Sequence, residues 1–225
     1  MLLSKTKPYP VAPIVLSVIL LGCSNSERNR EQAEVADVEG SPVFTNPDQE
    51  RQYIVDLQRF RADKDSFLQV SPHSPIKKED RRTFRRLNYY DVNPTFVVKA
   101  TLHRNQNPPR LTITTTTGES RDAINYGTLG FMLQGKKLRL SAYKFADRRG
   151  EQSLFVPFTD STSAEETYGA GRYIDLEENT AGEYILDFNR AYNPYCAYNE
   201  DYSCPIPPRE NRLSAAVTAG EKIYH

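Results

Sequence analysis

Apolar side chains return at helical intervals just after Asn46, and beyond Leu87 the period shortens to two. In "NPDQERQYIVDLQRFRADKDSFL", Asn46 suits an N-cap, Pro47 the first helical position and Gln49 the reciprocal capping position. Tyr53, Leu57, Phe60 and Lys64 then recur on one side, with Ile54 beside them, and predict a helix from about Pro47 to Asp65. Its arginines are expected to face solvent. In "SPIKKEDRRTF" the pair Ser74 and Pro75 repeats the start signal and predicts a short helical turn.

The segments "TFVVKATL", "RLTITTTT", "TLGFMLQ", "KLRLSAYKF", "SLFVPF", "RYIDLE" and "EYILDF" are rich in β-branched and aromatic residues and read as strands. Gln134–Gly135 separates two alternating runs and predicts a hairpin, as does the region of Gly118 and Glu119. Many short strands joined by tight turns predict an all-β domain, mainly an antiparallel barrel or sandwich, with the N-terminal helix covering one end or face (α+β by strict count).

The N-terminus has a different character. Lys5 and Lys7 precede an apolar run, Ile14 to Leu21, which is too short to span a bilayer. Such a run fits the core of a secretory signal. It ends in "LLGC", which resembles the lipobox of bacterial lipoproteins. Residues 1–22 are therefore expected to be a lipoprotein signal peptide and Cys23 the lipidated residue, anchoring the protein to a membrane of the bacterial cell envelope, outside the cytoplasm. Residues 23–45 are polar and charged and read as a tether, and 46–225 as one domain.

The whole sequence has 29 basic and 29 acidic residues, and loss of Lys5 and Lys7 leaves the mature chain at net −2. That balance lacks the basic footprint of a nucleic-acid binder. No cofactor is expected: the sequence has no phosphate loop, dinucleotide fingerprint or nucleophile elbow. Three scattered histidines and no metal-ligand helix motif give no metal site. "GAGR" from Gly169 to Arg172 is a weak anion nest and reads better as a bend before a strand.

Two loops stand out. One joins strands within "FVPFTDSTSAEETYGAGRYIDL". The other, "DFNRAYNPYCAYNEDYSCPIPPREN" from Asp187 to Asn211, crowds four tyrosines and two cysteines among prolines and polar residues. The blocks "TDSTSAEETYGAGRYIDL", "DFNRAYNPYCAY" and "CPIPPRENRL", with "KDSFL", "SPI" and "FRRLNYYDVNPTF" nearer the N-terminus, resemble the domain-of-unknown-function family numbered 1684. The resemblance covers about Asp63 to Lys222. One departure is Arg86 before Leu87, where the family pattern has glycine. The family is widespread in bacteria, often as lipoproteins, and carries no assigned activity, so the resemblance implies a site but no reaction.

The residues themselves leave three readings open. Asp160, Glu166, Asp187 and Glu210 are candidate carboxylates. Tyr168, Arg172, Asn189, Arg190, Tyr192, Asn193, Tyr195 and Asn211 are candidate ligand-binding groups. Together they could bind a small polar or saccharide ligand between aromatic walls. Two of the carboxylates could instead serve a hydrolase of envelope substrates. The same groups could also satisfy one another in a structural corner with no small-molecule site. Cys196 and Cys204 are expected to form a disulfide, with free structural thiols and a metal or catalytic thiol as the alternatives.

Overall fold

The computed structural model describes residues 42–145 and 153–224. The signal peptide, Cys23 and the tether as far as residue 41 lie outside the described residues. No helix among the described residues is long and apolar enough to cross a membrane.

Helix α1 spans Pro47–Val70. Asn46 caps it, accepting from Gln49 N at 2.9 Å, while Gln49 Oε1 accepts from Thr45 N at 3.0 Å. The helix runs past Asp65 because Leu68 buries against Ile76, Phe84 and Leu87, and it stops at Ser71 before Pro72. Only Leu57 and Leu68 are buried along its length, while Phe60 remains 40% exposed under the guanidinium of Arg190. Two buried leucines supply about 3–6 kcal/mol, so polar contacts must fix the helix's position. Tyr53 donates to Asp187, Arg61 to the Tyr90 carbonyl at 2.9 Å and Lys64 to Glu221, while Asp65 accepts from Leu87 N at 2.9 Å. Arg61 thus departs from the expectation that the helix arginines face solvent. The helical turn expected at Ser74 forms instead at Asp80–Arg82. Ser74 Oγ is engaged with the Leu68 carbonyl and Ile76 N, which holds that segment as a turn.

The remainder is mostly antiparallel sheet. Strands β1 (Val97–Arg104), β2 (Arg110–Thr114), β3 (Ser120–Leu133), β4 (Lys136–Phe145), β5 (Ser153–Phe158), β6 (Arg172–Glu177) and β7 (Glu183–Asp187) match the seven expected runs. Their order is β6-β5-β4-β3-β1-β7, with β2 paired to β3. The end strands β6 and β7 come into contact, so the sheet curls into a nearly closed barrel. The β3–β4 hairpin turns at Gln134 and Gly135, with φ of 50° and 73°, the left-handed pair that this tight turn requires.

The barrel interior is filled by Leu129, Phe131, Leu140, Ala142, Leu154, Val156, Phe158, Leu186 and Phe188. After β7 the chain leaves regular structure. It passes through short 3-10 turns at Phe188–Arg190, Tyr195–Ala197 and Arg209–Asn211 and packs its final segment beside the segment 88–90, α1 and the loop before β6.

Candidate functional site

The loop before β6 and the stretch after β7 meet. Tyr173 and Tyr192 exchange backbone hydrogen bonds of 2.9 and 3.0 Å, and Thr159 pairs with Arg212. At the centre lies Arg172, fully buried, donating to Asp160 Oδ2 at 2.8 Å and to the carbonyls of Val217, Ala219 and Glu221. Asp160 also accepts from Thr162 N at 2.7 Å. Burial lowers the Arg172 pKa, and the Asp160 carboxylate opposes that shift.

The buried asparagines act as pieces of backbone. Asn211 accepts from Ser141 N and donates to the carbonyls of Ser141 and Pro157, all within 2.8 Å, closing the loop onto β4 and β5. Asn189 accepts from Asn93 N at 3.0 Å and donates to Asn93 O at 2.8 Å. Asn193 donates to the Lys222 carbonyl, and its Oδ1 is buried without a partner. Arg172, Asn189 and Asn211 therefore turn their polar groups onto the protein rather than into a cleft.

The four carboxylates sit in separate surroundings. Asp160 faces Arg172. Asp187 accepts from Tyr53 OH at 3.0 Å and Asn189 N at 2.9 Å, with Arg190 Nε at 3.3 Å. Exposed Glu210 accepts from Tyr143 OH at 2.8 Å, and Glu166 lies in a groove beside Lys222. Tyr192 donates to Asp175, and Tyr195, 42% exposed, packs edge-on to Tyr202. Sequence reasoning missed Glu221, which is buried and accepts from Lys64, Tyr198 OH and Asn193 N. Its motif "AGEK" carries no distinguishing signal; only folding brings three donors to it.

The expected disulfide is not formed: Cys196 and Cys204 are free thiols. They touch through a hydrogen bond from Cys196 N to Cys204 Sγ at 3.3 Å, and Tyr168 OH donates to Cys196 Sγ at 3.6 Å. Spacing in the chain brought the sulfurs together, but each has a hydrogen-bond role in place of the covalent one. His103 is exposed on β1. Among the described residues no group of three or more His, Cys, Asp or Glu side chains could hold a metal ion.

The open space lies elsewhere. A groove of about 790 Å³ runs between α1, the segment 86–91, the loop residues Glu165 and Glu166, and the C-terminal Lys222 and Ile223. Arg61 stacks on the Tyr89 ring at 4.4 Å, and Lys222 lies over the Tyr90 ring at 4.9 Å. Three buried polar atoms here have no hydrogen-bond partner in the protein: Arg61 Nε, Tyr89 OH and Tyr90 OH. Thr162 and Glu166 lie close enough to the Tyr90 hydroxyl to act on its ionisation in opposite directions, but it makes no well-formed hydrogen bond to either. Burial raises the pKa of Asp65, Tyr89 and Tyr90 and lowers that of Arg61. The lining carries Arg61, Arg86 and Lys222 against Asp65, Asp91, Glu165 and Glu166, a near balance of charge. Of the site residues expected from sequence, only Glu166 lines this groove.

The fold has a solved counterpart. The solution NMR structure of an uncharacterized protein from Haloarcula marismortui is similar, with 36% identity and a TM-score of 0.62, covering 79% of this chain and 97% of that one. No curated protein matches the chain. The model of a family described as a protein of unknown function, DUF1684, matches residues 82–222, which include β1 to β7, both loops and all of the groove except its α1 wall and Ile223. This chain belongs to the DUF1684 family.

Proposed function

We propose that this is a lipid-anchored cell-envelope protein that binds a small, neutral or zwitterionic polyhydroxylated molecule of the saccharide class in the groove of Arg61, Tyr89, Tyr90 and Glu166. The observation that carries this reading is the set of buried polar atoms there without protein partners. A buried hydroxyl or guanidinium N–H left unpaired costs about 1–3 kcal/mol, and a ligand bearing hydroxyl groups would supply the missing bonds. Near-balanced charge disfavours a strongly ionic ligand, and tyrosines with a few fixed polar groups are the usual construction of a polar-ligand pocket. Ala164, with φ of 73°, holds the loop in a left-handed conformation just before Glu165 and Glu166, a strain of the kind that gathers at binding sites. The "LLGC" motif supports the anchor at Cys23.

The test is native mass spectrometry of protein taken from the envelope, followed by thermal-shift titration with a panel of neutral mono- and disaccharides and polyols. At about one hundred times Kd, binding adds about 2.7 kcal/mol of stability. Y89F and E166Q should lose that shift while retaining the unliganded melting temperature. No co-purified ligand and no shift across the panel would reject the reading.

A hydrolase reading draws on the same groove. Burial raises the Asp65 pKa, the direction a general acid needs, and the exposed Glu166 lines the same groove. Turnover of a nitrophenyl glycoside that is abolished by D65N would favour it over simple binding.

A further inference from the structure

Away from the groove, we propose that Cys196 and Cys204 form a redox-active dithiol that exchanges with low-molecular-weight organic disulfides, Cys196 attacking and Cys204 resolving. Cys196 lies half-buried in the short 3-10 turn Tyr195–Ala197 and is reachable from solvent, whereas Cys204 is buried. Cys204 is also the more firmly held: its N–H donates to Thr116 Oγ1 at 3.2 Å, and its carbonyl accepts from Thr116 N at 2.9 Å. The Tyr168 hydroxyl donates to Cys196 Sγ, a bond that strengthens when the sulfur is an anion.

The two thiols are electrostatically unequal. The hydrogen bond from Cys204, with further bonds from Tyr168 and Thr116, brings Cys196 down to about 6. Cys204 is pushed up, first because its proton is shared with the Cys196 anion and then by burial, while Arg121 opposes the shift. The neighbouring Tyr173 and Tyr168 phenols are raised by burial and remain neutral donors. The lowered pKa gives Cys196 the larger share of the thiolate, the nucleophilic form, at neutral pH.

In the first step Cys196 thiolate attacks one sulfur of R–S–S–R′. A Cys196–S–S–R bond forms, the S–S bond of the reagent breaks, and R′–S⁻ leaves. Cys196 then no longer carries the negative charge that raised its neighbour, so Cys204 can release its proton to water. Its thiolate attacks Cys196 Sγ and expels R–S⁻. Two electrons pass from the dithiol to the reagent, and the two leaving thiolates are protonated from solvent. The product is the Cys196–Cys204 disulfide, which an excess of small thiol reverses by the same two steps.

The full chain with Cys23→Ser, which leaves only these two cysteines, is the protein to test. Iodoacetamide labelling followed by peptide mass spectrometry should show Cys196 reacting at least about tenfold faster than Cys204 at pH 7. The Cys196 rate should rise with a midpoint near pH 6 and then level off, and Y168F should move that midpoint upward. With glutathione disulfide, the C204S variant should retain a glutathione adduct on Cys196. The parent should instead end as the internal disulfide, reducible by glutathione. Circular dichroism confirms that each variant is folded. Three outcomes would overturn the proposal: folded C204S that takes no adduct, two thiols that resist glutathione disulfide in the native parent, or an internal disulfide that glutathione cannot reduce.

Discussion

Arg172 Nη2 donates to Asp160 Oδ2 at 2.8 Å with both side chains sealed from solvent, at 1% and 0% exposure. The same guanidinium binds the Val217, Ala219 and Glu221 carbonyls, so one side chain ties the start of β6 to the C-terminal segment. Arg172→Ala leaves a buried carboxylate and three buried carbonyls without their donor, and urea unfolding should show a loss of about 3–5 kcal/mol. Arg172→Met combined with Asp160→Asn removes both charges of the pair together and should cost less than the single change. An R172A protein as stable as the parent would refute this role.

Gly220 stands between two of the carbonyls that Arg172 binds. Its φ is +79°, and a Cβ there would lie 2.6 Å from the Ala191 carbonyl oxygen and 2.7 Å from that of Phe188. Left-handed backbone alone costs about 1–2 kcal/mol for an alanine, and the displaced backbone adds to it. Gly220→Ala should therefore lower stability by at least about 2 kcal/mol, read from the midpoint of denaturant unfolding.

Asp187 gives a pH dependence of unusual sign. Burial raises its pKa, outweighing the Tyr53 and Asn189 bonds that act to lower it. Between its unfolded pKa of about 3.9 and its higher folded value, the native state binds more protons than the unfolded state. Its contribution to stability is full below that window and falls as pH rises through it. Asp187→Asn keeps the acceptor for Tyr53 and Asn189 and cannot ionise. Chemical unfolding from pH 3 upward should show a smaller decline in the variant than in the parent.

The Tyr89 and Tyr90 hydroxyls separate binding from folding. Because neither makes a well-formed hydrogen bond within the protein, Y89F and Y90F should leave stability unchanged or raise it by up to about 1 kcal/mol. Y143F removes a hydroxyl that bonds Glu210 at 2.8 Å and should lose about 1 kcal/mol, which makes it the control. Thermal unfolding of the three variants tests the contrast directly.

Cys23→Ser should release the protein from the membrane. Detergent partitioning and acyl labelling of cells expressing each form would show it. Membrane association that is unchanged in the variant, with no acyl label on the parent, would remove the anchor.

The seven strands, their hairpins and the start of α1 were legible along the chain because their causes are local. A period of two, a left-handed turn at Gln134–Gly135 and an asparagine cap each act within a few residues. The two loops were recognisable as special, and their tyrosines, asparagines and charges could be named, since chain composition there departs from that of a strand. What each polar group faces was decided only by tertiary structure. Asn189 meets Asn93 and Asn211 meets Ser141 across 96 and 70 positions of chain. Such pairings depend on how the sheet curls, and a buried polar group takes whichever complementary group that curl presents. The groove arises in the same way. Arg61 and Asp65 look like solvent-facing helix residues until α1, seated by only two leucines and a set of polar contacts, lies beside Tyr89, Tyr90 and Glu166.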